Sequence, residues 1–137
     1  MKKYLVIVIL MFSGLAAVAQ DDADAAKGDK IRDRMKSYIQ EKLGLTKDEA
    51  EKFTPIFIKY FKEFRQTRAD FKDDKLVMKQ KIIELRIRYR TEFRGIMDEQ
   101  KANRVYVVED EFRQKVIAMT ERQKERVEQA TQRKNLQ

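Results

Sequence analysis

The chain has 137 residues and carries 31 Lys and Arg against 23 Asp and Glu, a net charge of +8. This length suits a single domain. Four Gly and one Pro are too few for the turns of a β-barrel or β-sandwich, which are therefore excluded, and 39% charged residues is typical of long solvated helices. The absence of His and Cys removes the commonest general base, thiolate metal ligands and disulfides. We therefore expect a protein that is not an enzyme and needs no metal or other cofactor.

The first nineteen residues have the pattern of a secretory signal peptide. Lys2 and Lys3 precede an apolar run over residues 4–15, and small residues follow up to Ala19. The alternative is an uncleaved membrane anchor, but the run is shorter than the roughly 20 apolar residues that span a bilayer. We predict cleavage after Ala19, which lowers the net charge from +8 to +6. An exported basic chain meets acidic proteins and anionic lipid rather than nucleic acid.

The mature chain opens with a short acidic segment, residues 20–28, that has no hydrophobic periodicity and predicts a disordered leader. A first helix is expected to begin near Asp29, its N-cap, and to end before Gly44, which allows a left-handed turn. Apolar residues recur between these two points at helical spacing. They are Ile31, Met35, Tyr38, Ile39 and Leu43.

The strongest local signal is the start of a second helix after Leu45. Thr46 is the predicted N-cap, and Glu49 three residues later completes a capping box. A core stripe follows at helical spacing and comprises Phe53, Phe57, Tyr60, Phe64, Thr67 and Phe71. Pro55 lies inside this stripe and predicts a kink, because proline removes a backbone donor. The alternative is that Thr54 caps a new helix with Pro55 at its first position.

A polar break at residues 72–75 predicts a turn, after which two further helices follow. The core row of the third is Met78, Ile82, Leu85, Tyr89, Phe93 and Ile96, with a second apolar edge of Leu76, Ile83 and Ile87. The fourth is expected to start at Asp98 and to bury Val105, Val108, Phe112, Val116 and Met119. The helical domain thus covers residues 29–122, and residues 123–137 form either a polar helical extension or a frayed tail.

The segment from Lys42 to Ile56 carries a family resemblance. It reads KLGLTKDEAEKFTPI and, with the signal peptide and the helical periodicity, resembles the Spy/CpxP-like periplasmic proteins, the LTxxQ-motif family. It is most similar to a Bacteroidetes-type branch with the pattern KLxLTxxEAxxFxPI, in which Glu49 stands where the strict motif has Gln. The later acidic-x-x-Phe-Arg segment of that branch is matched by residues 109–113, EDEFR. The resemblance covers about residues 31–119.

The helical periodicity predicts an all-α fold with four helices. The resemblance adds an elongated, kinked or curved hairpin arrangement in an antiparallel, cradle-shaped homodimer, and the broad apolar faces of the second and third helices also favour pairing of two chains. It implies a periplasmic, non-catalytic, ATP-independent chaperone of the envelope stress response that binds unfolded or misassembled envelope proteins. The alternative is a regulatory partner of a membrane-bound stress sensor, either a sensor kinase or an extracytoplasmic sigma-factor system. Neither function calls for nucleic acid or a small-molecule substrate.

Two rows of basic residues are the candidates for client binding. They are Lys79, Arg86, Arg90 and Arg94 on the third helix, and Lys62, Arg65 and Arg68 on the second. Ile83 and Ile87 border the first row outside the core. The guanidinium of Arg can form two parallel hydrogen bonds with one carboxylate, which Lys cannot do. Both features favour a mixed basic and apolar binding edge. The other interpretation is a solvated helix face. The junction of Leu45, Thr46 and Glu49 is interpreted as a helix cap, with a contact site as the alternative.

Overall fold

The computed structural model describes residues 25–136, so the predicted signal peptide and the cleavage site after Ala19 lie outside the described residues. Within that range the chain has four helices and no strand. They are α1 (residues 25–43), α2 (Lys47–Asp70), α3 (Lys75–Arg94) and α4 (Glu99–Asn135). The prediction of an all-α fold with four helices is therefore confirmed. None of the helices in the described range is long and apolar enough to cross a membrane.

The described residues fall into two compact units that divide between Arg34 and Met35. In the described part of the first unit the helix already includes residues 25–28, so the predicted start near Asp29 is wrong. Ala25 and Ala26 lie in this stretch, and alanine has the highest helix propensity of all residues. The Asp29 side chain is instead paired with Arg32 one turn later, at 3.3 Å. Residues 20–24 of the predicted leader lie outside the described residues.

The junction between α1 and α2 has the predicted chemistry. Gly44 adopts a left-handed backbone conformation (φ 60°), and the N–H groups of Gly44 and Leu45 donate to carbonyls in the last turn of α1. The Thr46 hydroxyl accepts from the backbone N–H of Glu49, and the Glu49 carboxylate accepts from the backbone N–H of Thr46, both at 3.1 Å. These reciprocal bonds satisfy donors that an uncapped helix would leave open, and the predicted capping box is confirmed.

Pro55 does not interrupt α2, and Thr54 lies inside this helix rather than at the start of a new one. The Thr54 hydroxyl donates to the carbonyl of Ala50 at 2.9 Å and accepts from the side-chain amide of Gln40 at 3.2 Å. Thr54 therefore joins α1 to α2 beside the one position at which α2 lacks a backbone donor.

The core of the second unit is built on the aromatic stripe of α2. Ring centroids lie 5.3 Å apart for Phe53 and Phe93 and 5.4 Å apart for Tyr60 and Tyr89, which pairs α2 with α3 in antiparallel fashion. Burial of side chains of this size stabilises the fold by roughly 1.5–3 kcal/mol each. The buried apolar residues are Met35, Ile39, Leu43, Phe53, Phe57, Tyr60, Phe61, Phe64, Leu85, Tyr89, Phe93, Met97, Ala102, Val105 and Val108.

The last part of α4 differs from the rest. Val105 and Val108 are buried, but every residue from Ile117 to Leu136 is exposed, and Met119 has 64% of its surface accessible. The prediction that Met119 continues the core row is therefore wrong. The reason is length, since α4 has 37 residues against 24 in α2 and 20 in α3. The polar tail is helical as far as Asn135.

Candidate functional site

A groove of about 230 Å³ lies between α3 and α4. Ile83 and Ile87 line it and are 57% and 53% exposed. Asn103 and Tyr106 are the contributions of α4. The remaining lining residues are three arginines of the predicted basic row, namely Arg86, Arg90 and Arg94. The structure thus gathers two apolar and three basic candidates of the sequence analysis on one surface.

The spacing of these residues on α3 explains why they share a surface. Ile83, Ile87 and Arg90 follow each other at intervals of four and three residues, which places them on one face of a helix. The buried row of Leu85, Tyr89 and Phe93 has the same periodicity with a different phase, and it packs on α2. One face of α3, the core face, therefore packs on α2, and another, the groove face, lines the groove.

Arg86 lines the groove, yet two carboxylates of α4 bind its guanidinium. Nη2 lies 2.6 Å from Oε1 of Glu109 and 2.7 Å from Oδ1 of Asp110, while Nη1 donates to Oδ2 of Asp110 at 3.3 Å. Nε donates to the Tyr60 hydroxyl at 3.2 Å. The spacing predicted a residue outside the core, but only 21% of this side chain is exposed. The fork that was expected to bind a client carboxylate is occupied by carboxylates of the same chain.

Glu109 is fully buried and is the centre of this cluster. Its Oε1 accepts from the Tyr60 hydroxyl at 2.7 Å as well as from Arg86, and its Oε2 accepts from Nη2 of Arg113 at 3.1 Å. Removal of a carboxylate from water costs several kcal/mol unless opposite charges and hydrogen bonds compensate it. Two guanidinium groups and one phenol supply that compensation here, and in doing so they join α2, α3 and α4.

Arg113 completes the cluster through an aromatic contact. The centre of its guanidinium lies 4.0 Å from the ring centroid of Phe64 and 5.9 Å from that of Phe61. Such cation–π contacts stabilise by about 0.5–2 kcal/mol, more when they are shielded from water. The Arg113 Nε is buried and has no hydrogen-bond partner in the described part of the chain. On this side of the Arg113 guanidinium, aromatic faces thus take the place of oxygen acceptors.

The pKa values of two cluster residues, Tyr60 and Arg86, and of two neighbouring tyrosines differ from their ordinary values. Burial, reinforced by the negative charge of Glu109, raises the pKa of Tyr60 and of Tyr106 far above the ordinary value of 10.0. Burial and the bond to Glu63 raise the pKa of Tyr89 to about 12. Burial acts to lower the pKa of Arg86, but the bond to Asp110 and the charge of Glu109 outweigh it and raise that pKa. At neutral pH the three phenols are therefore neutral and Arg86 is charged.

Arg90 and Arg94 differ in how far they are neutralised. Arg94 pairs with Glu99 at 3.2 Å and donates to the side-chain oxygen of Asn103 at 3.1 Å. Arg90 is half-buried and forms no salt bridge within residues 25–136. Since Arg86 is also paired, Arg90 is the groove cation whose charge has no carboxylate partner among the described residues.

The other predicted basic residues lie outside the groove. Lys79 is exposed on α3, one turn before Ile83. The α2 row of Lys62, Arg65 and Arg68 is exposed, and none of its members lines the groove. The two predicted rows are therefore not combined into one site around this groove.

The motif at the start of α2 has a structural role. Beyond the capping box, Glu49 accepts from Nζ of Lys101 at 3.0 Å, and the same amine lies 3.5 Å from the carbonyl of Gly44. The bond from the backbone of Thr46, followed by the bond from Lys101, lowers the pKa of Glu49. Leu45 is half-buried beside this cap. The junction therefore also joins the α1–α2 turn to α4.

The cluster around Glu109 was not predicted from the sequence. The periodicity of α2 gives Tyr60 a place in the core row but no polar role, and residues 109–113 carry only the family resemblance. A signal was present, because Glu109 lies four residues after Val105 and three before Phe112 and so falls on the core face of α4. A carboxylate at such a position requires a buried cation.

Among the described residues, no group of three or more acidic side chains is placed so that it could hold a metal ion. Comparisons of the chain with protein-family models, with curated proteins and with solved structures give no match. The groove and the cluster are therefore interpreted from their own chemistry.

Proposed function

We propose that this chain is a Spy/CpxP-like periplasmic protein that binds unfolded or misassembled envelope proteins without catalysis and without ATP. The α3–α4 groove is its client site. The observation that supports this most directly is the presence of two half-exposed isoleucines, Ile83 and Ile87, beside the guanidinium of Arg90, which has no carboxylate partner among the described residues. Unfolded chains expose apolar and acidic side chains together, and this groove complements both kinds.

The two kinds of residue act at different stages of binding. The charge of Arg90, together with that of the exposed Lys79 on the same helix, attracts acidic segments over a distance and speeds their capture. Contact with Ile83 and Ile87 then removes apolar surface from water and slows release, at about 25 cal/mol for each Å² buried. A surface of this kind favours many weak clients over a single tight one.

We further propose that the chain acts as a homodimer. In support, α4 carries large apolar side chains on its exposed part, including Ile117 at 57%, Met119 at 64% and Val127 at 59%. A second copy would remove them from water. Sedimentation at micromolar concentration is expected to give a dimer and a melting temperature that falls on dilution. A monomer with a melting temperature independent of concentration would contradict this assembly.

The test of the client site is a set of aggregation assays with several unrelated denatured proteins. Wild type is expected to suppress aggregation, and less so as salt rises from about 50 to 500 mM, because the Debye length falls from more than 10 Å to a few ångströms. The double variant Ile83→Ser, Ile87→Ser is expected to release clients faster, with a weaker dependence on salt. The matched control, Leu136→Ser, removes an 86% exposed apolar side chain outside the groove and is expected to behave as wild type.

The outcomes separate the chaperone from the alternative function. Failure of the wild type to protect any client would contradict the chaperone proposal. Tight, stoichiometric binding to the periplasmic domain of one stress sensor, with no protection of unrelated clients, would support the regulatory alternative instead. Equal activity of wild type and the Ile double variant would place client binding outside the groove.

A further inference from the structure

The groove face of α3 has an ordered pattern that extends beyond the groove itself. Lys79, Ile83, Ile87 and Arg90 follow one another at intervals of four, four and three residues. Eleven residues complete about three helical turns, so the two cations lie on the same face about 16.5 Å apart along the axis, with the isoleucines between them. The order along this face is cation, apolar, apolar, cation.

Three members of this pattern are exposed, and the fourth, Arg90, is half-buried and lines the groove. Ile83 and Ile87 are more than half exposed, and Lys79 is exposed. In the described part of the chain neither Lys79 nor Arg90 forms a salt bridge, whereas Arg86, Arg88 and Arg94 of the same helix all do. The ion pairs within residues 25–136 thus leave both cations that flank the isoleucines without a carboxylate partner.

The walls of the groove favour a helical ligand over an extended one. Within α3 and α4 the backbone N–H and C=O groups are already bonded along each helix, so the walls offer few partners to the backbone of an extended segment. Burial of unpaired backbone groups is unfavourable. A helical segment satisfies its own backbone, and its side-chain ridges match the period of the α3 ridge.

We propose, as a deepening of the proposed function and resting on it, that the preferred ligand of this groove is an amphipathic helical segment with one carboxylate at each end of a short apolar ridge. The carboxylates are eleven residues apart and pair with Lys79 and Arg90. The apolar residues lie between them and contact Ile83, Ile87 and the ring of Tyr106. The site recognises the order of these side chains, in addition to their number.

Two synthetic helical peptides of equal composition test this order. The first carries Glu at positions i and i+11 and Leu at i+4 and i+8 on an Ala-rich scaffold, and the second exchanges the Glu and Leu positions. Net charge, hydrophobicity and helix propensity are the same in both, so a generally sticky surface would not distinguish them. In fluorescence anisotropy at about 50 mM salt, we expect the first peptide to bind about tenfold more tightly, since each exposed ion pair contributes a factor of about 1.5 to 5.

Variants then assign the preference to residues. The double variant Lys79→Gln, Arg90→Gln is expected to weaken binding of the first peptide about three- to tenfold and to abolish its advantage over the second. The matched control, Lys62→Gln with Arg65→Gln, removes the same number of exposed charges from α2 and is expected to retain the advantage. A proline at the centre of the first peptide, which breaks the helix, is expected to abolish binding.

The outcomes distinguish this inference from the proposed function on which it rests. Equal binding of the two peptides, or undiminished binding of the proline peptide, would overturn the helical ligand while aggregation assays could still support a chaperone. Order-dependent peptide binding without protection of any client would support the helical ligand and contradict the chaperone. Loss of the preference in the α2 control but not in the Lys79, Arg90 variant would place the site on α2 and overturn the inference.

Discussion

Arg86 and Arg90 lie one helical turn apart on α3, and their surroundings are opposite. Arg86 is bound by the carboxylates of Glu109 and Asp110 and has 21% of its side chain exposed. Arg90 lies at the groove beside Tyr106, and no carboxylate among the described residues pairs with it. The difference is set by α4, whose Glu109 and Asp110 pair with the guanidinium of Arg86 and not with that of Arg90. A row of arginines on one helix therefore has no single role, and the facing helix decides each residue's part.

The inner cluster and the groove face also differ in how much a substitution is expected to lower stability. In the inner cluster Glu109 is fully buried, so loss of a partner leaves a buried charge less well compensated, which makes its two guanidinium partners costly to remove. On the groove face, solvent screens the charge, and exchange of a side chain changes stability little. We therefore expect the cluster to govern folding and the groove face to govern binding.

The largest effect is expected from Arg86→Gln. Because Glu109 would keep only Arg113 as a charged partner, we expect the free energy of unfolding to fall by about 2–4 kcal/mol. Urea denaturation followed by circular dichroism measures this. The control is Arg88→Gln, since Arg88 forms a solvent-exposed pair with Glu63 and its loss should cost less than about 1 kcal/mol. An Arg86 variant as stable as the Arg88 variant would remove the distinction between cluster and surface.

A smaller effect is expected at alkaline pH. Because the pKa of Tyr60 is higher in the folded chain than its ordinary value of 10.0, the folded state holds the phenolic proton more tightly than the unfolded state does. That contribution to stability is complete below pH 10 and is lost as the pH rises above it; for Tyr89 the loss falls between pH 10 and about 12. The melting temperature should thus be constant between pH 8 and 9.5 and fall beyond pH 10.

Tyr60→Phe is the control for this pH dependence. The variant removes a hydrogen bond to Glu109 and should lose about 1 kcal/mol at neutral pH. Above pH 10 the stability of this variant should also fall less steeply than that of wild type, because the variant lacks the phenol whose ionisation the folded state resists. An identical alkaline slope in both proteins would mean that the cluster does not hold the Tyr60 proton.

Much of the fold was predictable because it depends on local rules. The capping box of Thr46 and Glu49 needs only a spacing of three residues, and the stripe of α2 needs only helical periodicity. The end of the packed part of α4 was not predictable in this way. Met119 lies at a position that continues the apolar periodicity of α4, but it lies beyond the part of α4 that packs on other helices. Periodicity within one helix contains no information about the length of the helices that pack against it.

The candidate site likewise has a part that was predictable from one helix and a part that depends on tertiary packing. The groove residues Ile83, Ile87 and Arg90 were found from one helix, because they share a face and fall outside the core row. The role of Arg86 depends on Glu109 and Asp110, which are more than twenty residues away in sequence. Only the antiparallel packing of α3 and α4 brings them together, and that register is a tertiary property.

The most direct test is to measure Arg90→Gln for both stability and client capture. We expect the free energy of unfolding to change by less than about 0.5 kcal/mol, as for substitutions that leave no buried charge unpaired. We also expect the variant to capture acidic clients more slowly than wild type at about 50 mM salt, and the two proteins to capture them equally slowly at about 500 mM. A well-folded Arg90 variant that captures acidic clients at the wild-type rate at low salt would contradict the claim that this face binds clients.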